Sequence, residues 1–139
     1  MRIRAAGLVI KNSKLLIIHR FRDGEEYWVL PGGGVDEGET PQEAVIREIK
    51  EETSIEAQLK SNELIFKDQY AVQGETSEHQ IFVLEYISGE PQLSKDSIEV
   101  SKTTEQNTYE PMWVDLKDIE SLNIKPPATK EFLMSYINK

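Results

Sequence analysis

The sequence predicts an α/β protein of the α+β type, with a mixed β-sheet between helices. Apolar, β-branched runs lie before and after one central amphipathic segment, whereas a doubly wound parallel sheet would alternate strands with helices. The chain has 139 residues, enough for one sizeable hydrophobic core. It contains no repeat, low-complexity tract or long linker. A single domain over residues 1–139 is therefore expected.

The first quarter of the chain has the pattern of strands joined by turns. Residues 3–10 and 14–19 are apolar runs separated by Lys-Asn-Ser, which is typical of a hairpin turn. Residues 21–26 are polar and predict a loop. Residues 27–30 predict a short strand that ends at Pro31 and the glycines after it.

A helix is predicted from Pro41 to Thr53. Thr40 can cap its N-terminus, Pro41 suits the first helical position, and Glu43 completes a capping box. Further elements are expected at residues 55–59, 64–72, 80–87 and 112–114 (strands), 115–122 (a helical turn) and 128–137 (a terminal helix).

Three glutamates share one face of the predicted helix. Glu48, Glu51 and Glu52 stand at i, i+3 and i+4. At about 6 Å and an effective dielectric near 20, each like-charge pair costs on the order of 3 kcal/mol. Arg47 can pair with one helical neighbour, Glu43 or Glu51, but does not neutralise the cluster alone. Spacing leaves a solvated acidic face and a site for Mg²⁺ or Mn²⁺ as open alternatives.

The overall charge limits the class of partner. The formal net charge is −9, and residues 36–56 contribute −6 of it, with eight acids against two bases. Such acidity disfavours binding to large nucleic acids, which requires a basic surface. The chain has no cysteine and no apolar run long enough to span a membrane. A cytoplasmic protein without membrane association is expected.

A longer pattern surrounds the glutamates. Residues 32–34 are glycines, which suit either an ordinary turn or close approach of the backbone to a ligand. Gly33, Glu39 and residues 47–55 (REIKEETSI) together resemble the Nudix box, Gx5EX7REUXEEXGU. The one departure is Ser54, where the pattern has glycine. Leu15 to Arg20, Trp28 to Gly33 and Trp113 to Leu116 extend the resemblance.

The Nudix resemblance implies an α/β/α sandwich and metal-dependent hydrolysis of a nucleoside diphosphate linked to another group. The cofactor it implies is Mg²⁺ or Mn²⁺. The implied metal ligands are Gly32 (through its carbonyl), Glu48, Glu51 and Glu52. In this reading Glu48 is either a ligand or the base that deprotonates water, and Arg47 orients a glutamate. Gly33 and Glu39 are expected to shape the loop against the helix.

Other site residues are predicted outside the box. The family often adds an acidic residue from a loop, for which Glu105 is the candidate among Glu99, Glu105 and Glu110. Arg20 and Arg22 can meet substrate phosphates. The aromatic candidates for stacking on a base are Phe21, Tyr27 and Tyr70. His19 and His79 are interpreted as packing or surface residues.

The substrate is less well defined by the sequence. The marks of ADP-ribose and coenzyme A subfamilies are missing, which leaves a nucleoside triphosphate or related small nucleotide as the default. Dinucleoside polyphosphates and nucleotide sugars are alternatives, and hydrolysis at an RNA end fits the acidic composition poorly. The alternative from another class is a non-catalytic nucleotide-binding or regulatory module. A homodimer is compatible with the resemblance.

Overall fold

This computed structural model describes residues 2–61, 63–72, 74–92 and 107–138, with the backbone alone at 70–72. These residues form eight strands and two α-helices. The strands are β1 (Arg2–Lys11), β2 (Lys14–Arg22), β3 (Glu25–Val29), β4 (Gly32–Gly34), β5 (Glu56–Leu59), β6 (Phe66–Val72), β7 (Glu75–Ser88) and β8 (Asn107–Asp115). The helices are α1 (Pro41–Thr53), a 3₁₀ helix (Leu116–Ser121) and α2 (Pro127–Ile137).

The sheet is mixed, as the sequence predicts. Strand β1 pairs parallel with β7 and antiparallel with β4 and with the start of β2. Strand β2 in turn pairs antiparallel with β3 and β8, while β5 and β6 add to β7. Strand β1 therefore links the glycine strand β4 to the rest of the sheet.

Each face of the sheet buries a separate apolar cluster. Ala5 and Val9 of β1 belong to the cluster that packs against α1, whereas Ala6 and Leu8 belong to the cluster under α2. This alternation is the period-2 pattern of a strand buried on both faces. A Cβ on Gly7 would lie 2.4 Å from the Ile49 side chain, so glycine allows α1 to pack closely on β1.

One local prediction is wrong. The polar stretch 21–26 is a continuous hairpin rather than a loop, because β2 runs to Arg22 and β3 starts at Glu25. Asp23 and Gly24 make the two-residue turn with φ values of 52° and 83°, the conformation favoured in tight hairpins. Pairing with β3 and β8 stabilises this polar end of β2 as a strand.

Other strands differ from the prediction mainly in length. Strands β7 and β8 start at Glu75 and Asn107, earlier than expected, because their polar first halves pair with β6 and β2. The glycine segment forms the short strand β4, not a free turn. The helical turn and the terminal helix are confirmed, the latter with Leu133 buried. Within the described ranges, no helix combines the length and apolar character needed to cross a bilayer.

Helix α1 has the predicted bounds, and Ser54 ends it. Ser54 adopts the left-handed conformation, with φ 64° and ψ 12°, and its N–H donates to the Lys50 carbonyl. This is the geometry that glycine usually supplies. The Ser54 hydroxyl donates to the Gln92 carbonyl at 2.8 Å, and the Gln92 N–H donates to the Thr53 carbonyl at 2.8 Å. The departure from the family pattern thus keeps the helix end and adds a contact.

Candidate active site

The start of α1 fixes which side chains face the glycine strand. The Glu43 N–H donates to the Thr40 hydroxyl at 3.1 Å, and the Thr40 N–H donates to the Glu43 carboxylate at 2.9 Å. The predicted capping box is therefore confirmed. Because Glu43 is held at Thr40, it does not pair with Arg47. Of the two pairings that the sequence allows, Arg47 forms the one with Glu51.

Arg47 contacts four carboxylates at once. Its guanidinium lies 2.8 Å from Glu39, 2.8 Å from Glu48 and 3.2 Å from Glu51, and it also contacts Asp36 at 3.4 Å. A further N–H donates to the Gly34 carbonyl at 3.2 Å. One cation thus joins the loop, the glycine strand and two glutamates of the helix. Helical spacing predicts that Arg47 pairs with one glutamate of the helix, but it contacts both Glu48 and Glu51 and therefore relieves more of the repulsion between them.

The contact between Glu39 and Arg47 shifts the pKa of both groups. The Arg47 hydrogen bond, together with the N–H of Asp36, lowers the pKa of Glu39 to about 2. Hydrogen bonding to Glu39 in turn raises the pKa of Arg47 above its usual range. The pair is therefore charged throughout the physiological pH range and joins the loop to the helix.

Glu52 and Glu48 pack directly on the glycine strand. The Gly32 N–H donates to Glu52 Oε1 at 2.9 Å, and Glu52 is 6% exposed. A Cβ on Gly33 would lie 2.4 Å from Glu48 Cδ, so a side chain at that position would collide with the carboxylate. The glycines therefore allow close approach of backbone and carboxylates, which is what distinguishes this strand from an ordinary turn.

A cavity of about 750 Å³ opens beside these carboxylates. Its acidic lining consists of Glu48 and Glu52, which lie beside the backbone of β4. Its remaining lining includes the basic and aromatic residues Arg2, Arg4, Arg20, Tyr27, His79, Tyr109 and Lys125. The volume lies within the range of small-molecule sites. Two acidic side chains and a larger group of basic ones, called here the acidic wall and the basic wall, thus line the same cavity.

The structure brings together some of the predicted site residues and separates others. Arg20 and Tyr27 line the cavity; Phe21 and Arg22 do not. Glu51 turns toward Arg47 and is half exposed, outside the lining.

Two further candidates have limited structural descriptions. The backbone of Tyr70 pairs with Ser77 in the sheet. Glu105, like Glu99, lies outside the described residues.

Arg20 is held in place by neutral groups. Its guanidinium donates to the Thr108 carbonyl at 2.9 Å and to the Asn107 side chain at 2.7 Å, and it lies 3.6 Å from the centre of the Tyr109 ring. The ring of Tyr27 is 5.5 Å away on another side. At 9% exposure this is a nearly buried charge that is stabilised by ring faces and carbonyls.

Sequence reasoning missed the residues that β1, β7 and the start of α2 contribute. Arg4 of β1 is in register with Gly34 of β4 on one side and His79 of β7 on the other. The signal was present in Arg2 and Arg4, which alternate at the start of a strand, but their partners are distant in sequence. His79 is buried beside Thr129 of α2, and burial lowers its pKa to about 4.

The donor set at the acidic wall fits a divalent cation. In the described ranges, no three acidic or histidine side chains form a ready-made metal cluster, because Glu51 is directed toward Arg47. Glu48 and Glu52 nevertheless offer carboxylate oxygens at the cavity, beside the backbone of Gly32. Such an all-oxygen, incomplete set suits Mg²⁺ or Mn²⁺, which keep waters and share ligands with phosphates.

The fold and the acidic cavity together define the class of protein. The NUDIX domain family matches residues 1–136, and the chain therefore belongs to the Nudix family.

Relatives are similar over a short stretch. An RNA pyrophosphohydrolase of Photobacterium profundum is 45% identical over 49 residues, which are 35% of this chain and 28% of that protein. An ADP-ribose pyrophosphatase of Methanocaldococcus jannaschii is 46% identical over 56 residues, which are 40% of this chain and 33% of that protein. The match thus spans about a third or less of these relatives' lengths.

Solved structures match over nearly the whole chain. A NUDIX hydrolase from Nitrosomonas europaea has a TM-score of 0.75 at 18% identity, covering 97% of this chain and 87% of that one. A MutT protein from Methanosarcina mazei Go1 has a TM-score of 0.72 at 22% identity, covering 99% and 93%. These likenesses show the fold and match the mixed sheet described above.

Proposed function

We propose that the protein is an Mg²⁺- or Mn²⁺-dependent hydrolase that cuts a nucleoside diphosphate linked to another group, most simply a small nucleotide such as a nucleoside triphosphate. The observation that carries this proposal is the meeting of Glu48, Glu52 and the glycine strand at one cavity with basic walls. The pyrophosphatase names among the relatives agree with it.

Each residue then has a defined task. Glu52 and Glu48 would hold the cation together with the Gly32 carbonyl, and Glu51 would join them by turning away from Arg47. When bound, the cation would screen the diphosphate charge and stabilise the negative charge that develops during cleavage. Glu48 is also the candidate to accept the proton of the attacking water. Glu105 stays a second candidate for that role.

Positioning falls to the residues around the glutamates. Arg47 fixes the Glu48 carboxylate at 2.8 Å, and Glu39 fixes Arg47 in turn. Arg20, held by Asn107 and Thr108, would contact a phosphate of the substrate. Tyr27 would flank the same group.

The test is nucleotide turnover by matched variants. Nucleoside monophosphate release is followed by chromatography for a panel of nucleotides with Mg²⁺ or Mn²⁺. Wild type should turn over at least one compound, and Glu52→Gln should reduce that rate by roughly a hundredfold or more. Glu37→Gln, a control on an exposed loop carboxylate outside the cavity, should keep the rate.

Two results would contradict the proposal. If wild type and Glu52→Gln turn over the panel equally, Glu52 has no part in the chemistry. If neither turns over any compound while a nucleotide still binds to wild type, the protein is a binding or regulatory module.

A further inference from the structure

The basic wall of the cavity contains arginines without acidic partners. In the described part of the chain, no carboxylate forms an ion pair with Arg2, Arg4 or Arg20, although acids outnumber bases 25 to 16 in the sequence. Arg2 is exposed, whereas Arg4 is partly buried and Arg20 nearly buried, and a charge withdrawn from water is unfavourable unless another group compensates it. The surroundings of this wall therefore favour an anionic ligand.

Arg4 has hydrogen-bonding capacity that the described residues leave largely unused. Its only polar contact with described residues is a hydrogen bond to the Leu30 carbonyl at 3.4 Å, whereas a guanidinium carries five N–H donors. It is partly buried, and it lies between Gly34 and His79 in the sheet. Arg2 is beside it, with its guanidinium over Gly34.

The aromatic rings of the cavity carry cations on their faces. Arg20 lies over Tyr109, and both Arg20 and Lys125 lie near the Tyr27 ring, at 5.5 and 4.9 Å from its centre. Lys125 also pairs with Glu25. A ligand on this side therefore meets guanidinium and ammonium groups beside the rings. This side of the cavity is therefore suited to a negatively charged ligand.

The number of arginines at the cavity indicates how much negative charge a ligand can carry. A diphosphate with a substituent at each end has two negative charges, whereas this cavity is lined by three arginines that form no ion pair with a carboxylate of the described residues. Arg20 is held by Asn107 and Thr108 of β8, whereas Arg2 and Arg4 belong to β1. Arg2 and Arg4 are thus available for an additional anionic group.

We propose that Arg4, with Arg2 beside it, binds a phosphate of the substrate that lies outside the diphosphate to be cleaved. This inference rests on the proposed function and narrows its substrate class to nucleotides that carry a further phosphate. That phosphate is either a terminal one on the polyphosphate chain or a monoester on a sugar. Arg4 is the residue that selects for it, because its guanidinium can donate two parallel hydrogen bonds to phosphate oxygens.

Binding of ligand pairs that differ by one phosphate tests this proposal. ATP and ADP differ at the end of the chain, and NADPH and NADH differ by a ribose phosphate. Their dissociation constants are measured by calorimetry without divalent metal, for wild type and Arg4→Gln. Wild type should prefer the more phosphorylated member of at least one pair. Arg4→Gln should reduce that preference by roughly tenfold and leave the affinity for the other member within about twofold.

Controls separate a local effect from a general one. Lys117→Gln removes one positive charge from an exposed site outside the cavity and should keep the preference. If Arg4→Gln does not fold, Arg4→Lys takes its place. It should weaken the preference by about threefold or more, because an ammonium group cannot donate two parallel hydrogen bonds to a phosphate.

The outcomes also separate this inference from the proposed function. A wild type without preference in either pair, or a preference that Arg4→Gln leaves intact, overturns the role of Arg4. Turnover of a nucleotide with metal, measured separately, would in that case still support the hydrolase. Conversely, a lost preference in Arg4→Gln with no turnover of any compound would support the phosphate site and contradict the hydrolase.

Discussion

Arg47 contacts Glu48 at the acidic side of the cavity and Arg4 lines its basic side, yet the surroundings of the two arginines are opposite. The Arg47 guanidinium is within 3.4 Å of four carboxylates, whereas no carboxylate of the described residues pairs with Arg4. The same side chain thus serves as internal counter-ion in one place and as an available cation in the other. The contrast teaches that the protein itself pairs part of the acidic charge through Arg47, whereas the described residues pair none of the Arg4 charge with a carboxylate.

The largest change in stability expected at neutral pH comes from a direct comparison of the two arginines. Arg47→Gln leaves Glu39 and Glu48 without their main partner and should lower the free energy of unfolding by about 2 kcal/mol. Arg4→Gln removes a cation that pairs with no carboxylate in the described ranges, and should change the free energy of unfolding by less than about 0.5 kcal/mol or raise it. Urea denaturation of both variants measures the difference.

Lys50→Gln is the control for Arg47. Its ammonium pairs with Glu56 at 3.2 Å on the exposed surface, so its loss should cost less than about 0.5 kcal/mol. Equal losses for Arg4→Gln and Arg47→Gln would remove the distinction between the two walls.

The second prediction concerns pH on the basic side. The pKa of His79 is lowered to about 4, mainly by burial and secondly by the charge of Arg4. Because the unfolded chain binds the proton more readily, this contribution to stability is complete above pH 6.5 and is lost as pH falls toward 4, by on the order of 2–3 kcal/mol. His79→Gln should flatten this part of the stability profile.

The titration of His79 itself sharpens this test. NMR should show that Arg4→Gln raises the His79 pKa toward its usual value, since a nearby positive charge is removed. A His79 pKa near 6.5 in the wild type would show that the basic wall is well solvated, contrary to the burial seen here.

The third prediction concerns the acidic side. Gly33→Ala places a methyl group where the Glu48 carboxylate lies, and should lower the free energy of unfolding by about 1–2 kcal/mol and displace Glu48. Gly34→Ala is the matched control for stability, because its Cβ has no neighbour closer than 3.4 Å. Thermal denaturation compares the two, and an equal midpoint for both variants would contradict the close approach at Gly33.

The smallest effect is expected at the end of α1. Ser54→Gly relieves the left-handed conformation but loses the hydroxyl contact with Gln92, so the net change should stay within about 0.5 kcal/mol. Ser54→Ala keeps the strain and loses the contact, and should destabilise by about 1 kcal/mol. Urea denaturation measures both. A stability gain in Ser54→Ala would mean that the hydroxyl contact contributes nothing.

Local signals predicted the helix of the site but not all of its partners. The bounds of α1 follow from the capping box at Thr40, which depends only on neighbouring residues. The pairing of Arg47 with Glu39 and Asp36 depends on how the preceding loop folds back, and helical spacing carries no information about it. The direction of Glu51 toward Arg47 is a consequence of the same loop.

Pairing between strands that are distant in sequence positions the basic residues of the site. Arg4 reaches the glycine strand and His79 only because β1 lies between β4 and β7, whose residues are about 30 and 75 positions away in sequence. The polar segment around Asp23 has the pattern of a loop for a related reason, since part of the pairing that makes it a hairpin comes from β8, which is distant in sequence. Sequence patterns without tertiary contacts describe such segments poorly.

The most direct test of the central claim is metal binding at the acidic wall. Mg²⁺ or Mn²⁺ is titrated into wild type and Glu52→Gln while the thermal midpoint is recorded. A cation that binds the native state alone should raise the wild-type midpoint in a concentration-dependent way and leave Glu52→Gln nearly unchanged. A wild-type midpoint that does not move at millimolar metal, or an equal rise in both proteins, would contradict the assignment of Glu52 to a metal site.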